Sequence, residues 1–259
     1  MKKSIKIIPA ILFLLLASSA VHAQFFRVYE YTTLDPSEKE FVYWTTYIPS
    51  SDNNYDFFGN SVSREGMFAH SLEFEYGLSP AWTIAFYMDF EQPKGENLKW
   101  IRTKAVMLHY SLFEKGQLPV DLALYGEYKL PRRDYGLSEE LEFKLIIEKD
   151  FGSHRFVLNP TFEKKISGPE VDEGVEFALS GAYSFIRSLK FQPRIEYYSK
   201  MGELIEPDIF GDQEHYIFPS FDLFFGKYSQ FRWHAGVGFG LTDPADNVII
   251  KSILSWEFF

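Results

Sequence analysis

The feature that most constrains this chain is a rhythm of period two that recurs in twelve separate segments. Phe68, His70, Leu72, Phe74 and Tyr76 share one parity, and Ala69, Ser71, Glu73 and Glu75 share the other. An extended strand sends alternate side chains to opposite faces, so each such segment has one apolar and one polar face. Trp82, Ile84, Phe86, Met88 and Phe90 repeat the pattern against Thr83, Ala85, Tyr87, Asp89 and Glu91. Phe231, Trp233, Ala235, Val237 and Phe239 repeat it near the end against Arg232, His234, Gly236, Gly238 and Gly240. The rhythm predicts strands over 40–48, 66–77, 82–91, 100–113, 120–128, 139–149, 154–164, 174–184, 189–198, 214–224, 231–241 and 248–258. In the fourth of these the alternation is least clean.

The connections alternate too. Leu78–Ala81, Glu114–Pro119, Asp150–Ser153, Phe185–Ser188 and Phe225–Gln230 are short. Pro49–Glu65, Gln92–Lys99, Lys129–Ser138, Lys165–Glu173 and Ser199–Gln213 are longer and polar, and Thr242–Asn247 is intermediate. An even number of strands of about ten residues, with tight turns at one end and longer loops at the other, is the pattern of a transmembrane antiparallel up-and-down β-barrel. Hydrocarbon offers no hydrogen-bond partners, so a sheet crosses it only when closed on itself, with its apolar face outward. A soluble sandwich or lipocalin-like barrel also alternates but turns its apolar face inward. Aromatic residues make up 19% of the chain, and Tyr76, Trp82, Phe90, Trp100, Tyr128 and Trp256 at strand ends fit membrane interfaces. Pro160, Pro193 and His215, all in outward register, fit a strand less well. Beyond the N-terminus no run approaches the ~20 apolar residues of a spanning helix.

Residues 1–23 read as a signal peptide: Lys2, Lys3 and Lys6, an apolar core from Ile7 to Ala17, and small residues before a cut after Ala23. Removing three lysines and no acid takes the net charge from −10 to −13. That balance excludes a nucleic-acid partner, which needs a basic surface. Cysteine is absent, as suits an exported chain without disulfides. The expected organisation is a segment over 24–38, lying in the periplasm or plugging the barrel, followed by the barrel over 39–259.

The polar faces place acids and bases inside. The acids are Glu73, Glu75, Asp89, Glu91, Asp121, Glu127, Glu140, Glu142, Glu148, Glu163, Glu176, Glu196 and Asp222. The bases are Arg102, Lys104, Lys144, Arg155, Lys190, Arg194, Arg232 and Lys251. The candidate pore-lining set, placed near mid-strand, is Glu73, Asp89, Glu142, Lys144, Arg155, Glu176, Arg194 and Arg232. An open acid-rich lumen favours cations, whereas a lumen cross-linked by ion pairs passes little. Buried charges must be paired in either case. Among catalytic arrangements, His109 and Ser111 share a strand face as a base and nucleophile would, but no third member or G-x-S-x-G motif accompanies them. A lipase-like barrel is therefore the weaker alternative, beside a closed structural or surface-interaction barrel. Asp208, Asp212, Glu214 and His215, with Glu203 and Glu206, form an acidic loop read as solvated rather than metal-binding. No cofactor is expected.

The ending, with Leu254, Trp256, Phe258 and Phe259, resembles the assembly signal of bacterial outer-membrane proteins. The departure is that Phe258, not Phe259, is in register with Trp256 and Leu254. The resemblance implies recognition by the barrel-assembly machinery. Upstream, GVGFGLTDPADNVIIK (Gly236 to Lys251) resembles the last hairpin of an outer-membrane β-barrel family named after the MetA pathway of phenol degradation. Gly236, Gly238, Gly240, Leu241, Thr242, Asp243 and Asp246 carry it, with Glu127 and Asn159 as weaker matches. It implies a transporter-like protein of the Gram-negative outer membrane, in contact with lipid, lipopolysaccharide and a small solute, with no catalytic residues to carry over.

Overall fold

The computed structural model describes residues 26–259. The signal-peptide reading of 1–23, with Gln24 and Phe25, lies outside the described residues. Among those described, twelve strands close an antiparallel barrel: β1 (Lys39–Ser50), β4 (Met67–Ser79), β5 (Trp82–Gln92), β6 (Lys99–Ser111), β7 (Asp121–Pro131), β8 (Glu139–Phe151), β9 (His154–Ser167), β10 (Glu176–Phe185), β11 (Phe191–Glu203), β12 (Glu214–Phe225), β13 (Phe231–Gly240) and β14 (Val248–Phe258). Each pairs with its neighbours in sequence. β1 closes the ring, with Phe41 opposite both Phe74 of β4 and Trp256 of β14. The twelve strands expected from the rhythm are all present. The loop between β1 and β4 adds a hairpin that the rhythm missed, β2 (Asn54–Phe57) with β3 (Asn60–Ser63).

The apolar parity faces outward. Phe74 is 44% exposed and Phe86 is 49% exposed, while Glu73, Asp89 and Glu148 between the outward rows are 1% exposed or less. That distribution is inverted from a soluble barrel and matches a wall facing hydrocarbon. The outward histidines obey the same constraint. His70 meets the Tyr43 hydroxyl at 2.9 Å, His154 meets Tyr183 at 2.8 Å, and His215 meets Tyr197 at 2.6 Å, each pair with stacked rings. A ring nitrogen that would be costly in an apolar setting is thereby satisfied. Phe210 also stacks on His215, which is why this outward residue is buried.

β6 departs from strict alternation because its pairing with β5 shifts between Asp89 and Phe90, and its pairing with β7 between Val106 and Leu108. Each bulge inserts a residue and changes parity. Arg102 and Lys104 therefore face inward, Ile101 is buried, and beyond the second bulge His109 and Ser111 face inward. The short-turn end is also less uniform than expected, since 112–120 spans nine residues between β6 and β7. The Leu112 N–H still donates to the Leu122 carbonyl (2.9 Å) and the Gly116 N–H to Asp121 (2.6 Å), which keeps this connection closed down.

Two glycines are required by close approach. A β-carbon on Gly77 would lie 2.0 Å from the Asp35 carbonyl, where the chain turns from the barrel rim into the interior. Ser37 N–H donates to the Gly77 carbonyl and Gly77 N–H to the Glu38 carbonyl, fixing that crossing. Gly238 lies under the Phe218 ring, 2.2 Å from any added β-carbon.

Candidate functional site

The barrel interior is built by the polar parity, and its most consequential occupant is the chain itself. From the crossing at Gly77, residues 34 back to 26 run from the short-turn end into the lumen. Leu34 N–H donates to the Thr83 hydroxyl (2.9 Å), and Tyr31 reaches the Phe113 carbonyl through its hydroxyl. Glu30 sits among three guanidinium groups, those of Arg194 (2.5 Å), Arg155 (3.3 Å) and Arg232 (3.4 Å). Tyr29 is clamped by Asn159, whose side-chain carbonyl accepts its N–H (2.7 Å) and whose amide donates to its carbonyl (3.0 Å). Its hydroxyl meets those of Tyr125 and Tyr87. Arg27 lies 3.3 Å from Glu73 and 3.5 Å from Glu75, and over the rings of Tyr29 and Trp44. Phe26 is boxed by Tyr198, Tyr216 and Phe218 with ring centroids about 5 Å away. Hydrogen bonds, ion pairs and ring contacts of residues 26–31 reach eleven of the twelve strands.

The expected pore-lining residues all face the interior, but they fall into separate groups. Asp89 accepts from Ser71 (2.6 Å) and Arg102 (2.7 Å), with Lys104 at 3.7 Å. Glu142 binds Lys144 (2.8 Å) and Lys129 (3.1 Å). Lys144 also lies 4.2 Å from the Tyr29 ring centre. Glu73 accepts from the Trp44 indole (2.8 Å) as well as facing Arg27. Arg155, Arg194 and Arg232 meet around Glu30 at the short-turn end and are also tied to Asp150, Glu196 and Asp222 respectively. Arg155 and Arg232 are each the second residue of their strand, and Glu176 is the first of β10. The mid-strand expectation is corrected for these three: β9 and β13 start at 154 and 231 as expected, which already puts Arg155 and Arg232 at the rim, and β10 starts two residues later than expected, which puts Glu176 there too. Lys190 is also corrected, since it precedes β11 and is exposed.

Sequence reasoning missed Lys129 by ending its strand one residue early. β7 continues to Pro131, and the Lys129 ammonium holds Glu140 (3.3 Å), Glu142 (3.1 Å) and Glu163 (3.2 Å) together. Lys165, assigned to a loop, is the last inward base of β9 and binds Glu170, Glu173 and Glu176. Parity continued by two residues finds both.

Above the segment, toward the long loops, opens a cavity of about 620 Å³. Phe26, Arg27, Tyr29 and Trp44 are its floor, and small inward residues of β10, Ala178 and Ser180, line one side. Twelve acids and seven bases line it, a formal excess of five negative charges. On the other side of the segment, between Arg27, Val28, Arg194, Arg232 and His234, the cavity is about 30 Å³, close to the room one water needs.

The β2–β3 hairpin and the loop after β13 cap part of the long-loop end. Asp246 accepts two charge-assisted bonds from Arg64 (2.8 and 2.7 Å) and one from Ser51 (2.6 Å), while its N–H donates to the Tyr216 hydroxyl. Thr242 accepts the His215 N–H (3.1 Å) and donates to the Gln213 carbonyl (2.6 Å). The residues that carried the hairpin resemblance thus shape a turn and anchor a loop.

The remaining candidates separate. The Ser111 hydroxyl donates to the Tyr31 carbonyl (3.2 Å) rather than to His109, and both residues are buried beside the segment. His109 and Ser111 thus share the inward face without forming a base–nucleophile pair. Asp208, Asp212, Glu214 and His215 do not converge, and among the described residues no His/Asp/Glu group could hold a metal. Leu254 and Trp256 face outward on β14, Phe258 is its last residue, and Phe259 is exposed beyond it.

No family model and no curated protein matches the chain. Solved structures do. The COG4313 outer membrane channel from Pseudomonas putida F1 superposes with a TM-score of 0.59 at 15% identity, over 88% of this chain and 98% of that one. The KdgM porin gives 0.56 at 9% identity, over 85% and 99%. The same porin in complex with disordered oligogalacturonate gives 0.53 at 8%, over 86% and 99%. At these identities the likeness concerns the fold: this chain has the closed twelve-strand barrel architecture found in outer-membrane channels.

Proposed function

We propose that the protein is an outer-membrane channel for a small polar solute, held closed in this conformation by residues 26–34. The short-turn end then faces the periplasm, and the outward aromatic and aliphatic wall contacts lipid and, at the long-loop end, lipopolysaccharide. The observation that carries the reading is the pairing of a lipid-suited wall with a polar interior that keeps a 620 Å³ vestibule on its long-loop side. A barrel built only as a wall gains nothing by leaving that volume unfilled, and its size is that of a ligand site. The twelve-to-seven excess of acids favours cationic or zwitterionic solutes at the entrance. Signal-peptide cleavage after Ala23, delivery by the barrel-assembly machinery through Leu254, Trp256, Phe258 and Phe259, and a non-enzymatic role belong to the same proposal. The likeness to channels and porins supports it.

The second reading, a permanently closed barrel, is favoured by one observation: Arg27 and Glu30 are ion-paired to the wall from both sides of the lumen. Planar-bilayer recordings of the wild type and of a form with the segment loosened separate the two. A channel yields conductance steps, more frequent in the loosened form and with a cation-leaning reversal potential in a salt gradient. Silence in both forms, with the barrel folded, refutes the channel.

A further inference from the structure

We infer that the interior of the barrel is a binding site for short, extended oligopeptides, with residues 26–31 held in it as a tethered occupant. The inference deepens the channel reading, because it names the solute class of that pathway. It rests first on how the wall addresses the segment's main chain. The Phe26 carbonyl accepts from Lys251 (3.2 Å) and the Val28 carbonyl from Arg194 (3.3 Å). Asn159 takes both main-chain groups of Tyr29, at 2.7 and 3.0 Å. The Tyr31 N–H donates to Glu148 (3.0 Å), and its carbonyl accepts from Ser111 (3.2 Å). These are contacts to peptide units, indifferent to side-chain identity, and they repeat what a strand edge does for an added strand. The groups that make them are fixed in place: Asn159 and Glu148 are 0% exposed and Lys251 is 1% exposed.

The side-chain pockets complete the class. A cation pocket at Glu73 and Glu75 takes Arg27, and an anion pocket of three arginines takes Glu30. Three positions separate the two charges in sequence, at most about 10 Å of chain at ~3.3 Å per residue. Among the described residues Arg27 is the one cation within salt-bridge distance of Glu73 and Glu75, and a buried oxygen of Glu73 has no hydrogen-bond partner. Withdrawal of the segment leaves these carboxylates to be met by another cation, because unpaired charge at such burial is costly.

The segment is also separable from the fold that holds it. β1 pairs with β4 on one side and β14 on the other, so the barrel is closed without residues 26–34. The tether crosses the rim at Asp35, Pro36 and Ser37, which are exposed.

The test cuts that tether. A protease site is placed at 35–37 in the full chain, the protein is folded, cut and washed, and a fluorescent peptide with the sequence of residues 26–34 is added. Saturable binding is expected. An unrelated peptide with a cation and an anion three positions apart should displace it, and an acidic oligosaccharide such as oligogalacturonate should not. Asn159→Ala, checked for folding by its heat-modifiable gel mobility, should weaken the probe about tenfold for two lost hydrogen bonds of ~0.5–1.5 kcal/mol each. Glu73→Gln should weaken an arginine-bearing peptide more than its alanine analogue. Cut protein that admits no labelled peptide, or from which only the native sequence or the oligosaccharide displaces it, overturns the assignment. Conductance of the same sample judges the channel separately. A cut barrel that conducts but binds no peptide ends the peptide site alone, and one that binds peptide without ever conducting ends the channel alone.

Discussion

Glu30→Gln isolates the latch that holds the segment in the lumen. In the closed state its carboxylate lies 2.5, 3.3 and 3.4 Å from Arg194, Arg155 and Arg232. The arginines have wall partners of their own, at Glu196, Asp150 and Asp222, so they remain paired when the segment leaves. What Glu30 contributes is therefore specific to the closed state, and a neutral isostere shifts the opening equilibrium by nearly the whole of it. A net hydrogen bond to a charged group is worth ~1.5–3 kcal/mol. Three contacts to one carboxylate are not additive, and Glu30, Arg155 and Arg232 keep side-chain exposures of 17–26%, which screens them. We therefore assign about 2–3 kcal/mol to the latch, a roughly 30- to 140-fold increase in the open-to-closed ratio at ~1.4 kcal/mol per decade. Single-channel open probability at 0.1 M salt measures it directly. Salt provides an internal control, since the Debye length falls from ~10 Å at 0.1 M to ~3 Å at 1 M. Wild type should open more often as salt rises, and Glu30→Gln should respond less. Arg232→Gln should have a smaller effect and combine with Glu30→Gln less than additively. An unchanged open probability in Glu30→Gln, or strict additivity of the pair, refutes the latch.

Three further outcomes test other levels of the structure. Glu206 and Asp212 line the vestibule, are exposed, and make no ion pair among the described residues; neutralising both to Gln and Asn should move the reversal potential toward zero in a salt gradient without altering folding. Leu145→Arg puts a charge on the lipid face opposite Leu124, and should cost ~2–4 kcal/mol if that position lies at the midplane, read as a lowered denaturant midpoint in vesicles. Asp246→Asn breaks an ion pair whose side chains are 1% exposed. Burial opposes the Arg64 charge, but Asp246 outweighs it and holds the guanidinium pKa above its ordinary value. Arg64 then keeps its charge throughout the working pH range, and loss of its buried countercharge should cost ~3–5 kcal/mol, seen as protease cutting within the β2–β3 hairpin while the barrel stays intact.

The barrel was legible from the sequence because a period of two is a local property, and each lipid-facing row had to be apolar along its whole length. The rows of β4, β5 and β13 could be read residue by residue, including the inward Glu73, Asp89 and Arg232. Legibility failed where parity changes without a change of composition. In β6 two bulges reverse it, so Ile101 is buried although an isoleucine suits the outer wall. It failed also where a strand was ended by habit: Lys129 and Lys165 look like loop residues and are the hubs of two carboxylate groups. The segment at 26–34 failed for a different reason. Its residues show neither alternation nor helical period, and their meaning depends on partners from eleven strands spread over the rest of the chain. Phe26 needs Tyr198 and Tyr216, Tyr29 needs Asn159, and Glu30 needs Arg155, Arg194 and Arg232. No one of these pairs leaves a mark in local sequence, yet each inward charge of the wall had to find a countercharge, and among the described residues no base of the wall lies within salt-bridge distance of Glu73 and Glu75. An aromatic segment carrying one arginine and one glutamate three positions apart is a candidate for that role wherever it precedes a barrel with an odd balance of inward charge. The closed lumen of this protein was thus encoded as a deficit in the strands, and the segment that fills it is recognisable only once the strands have been placed.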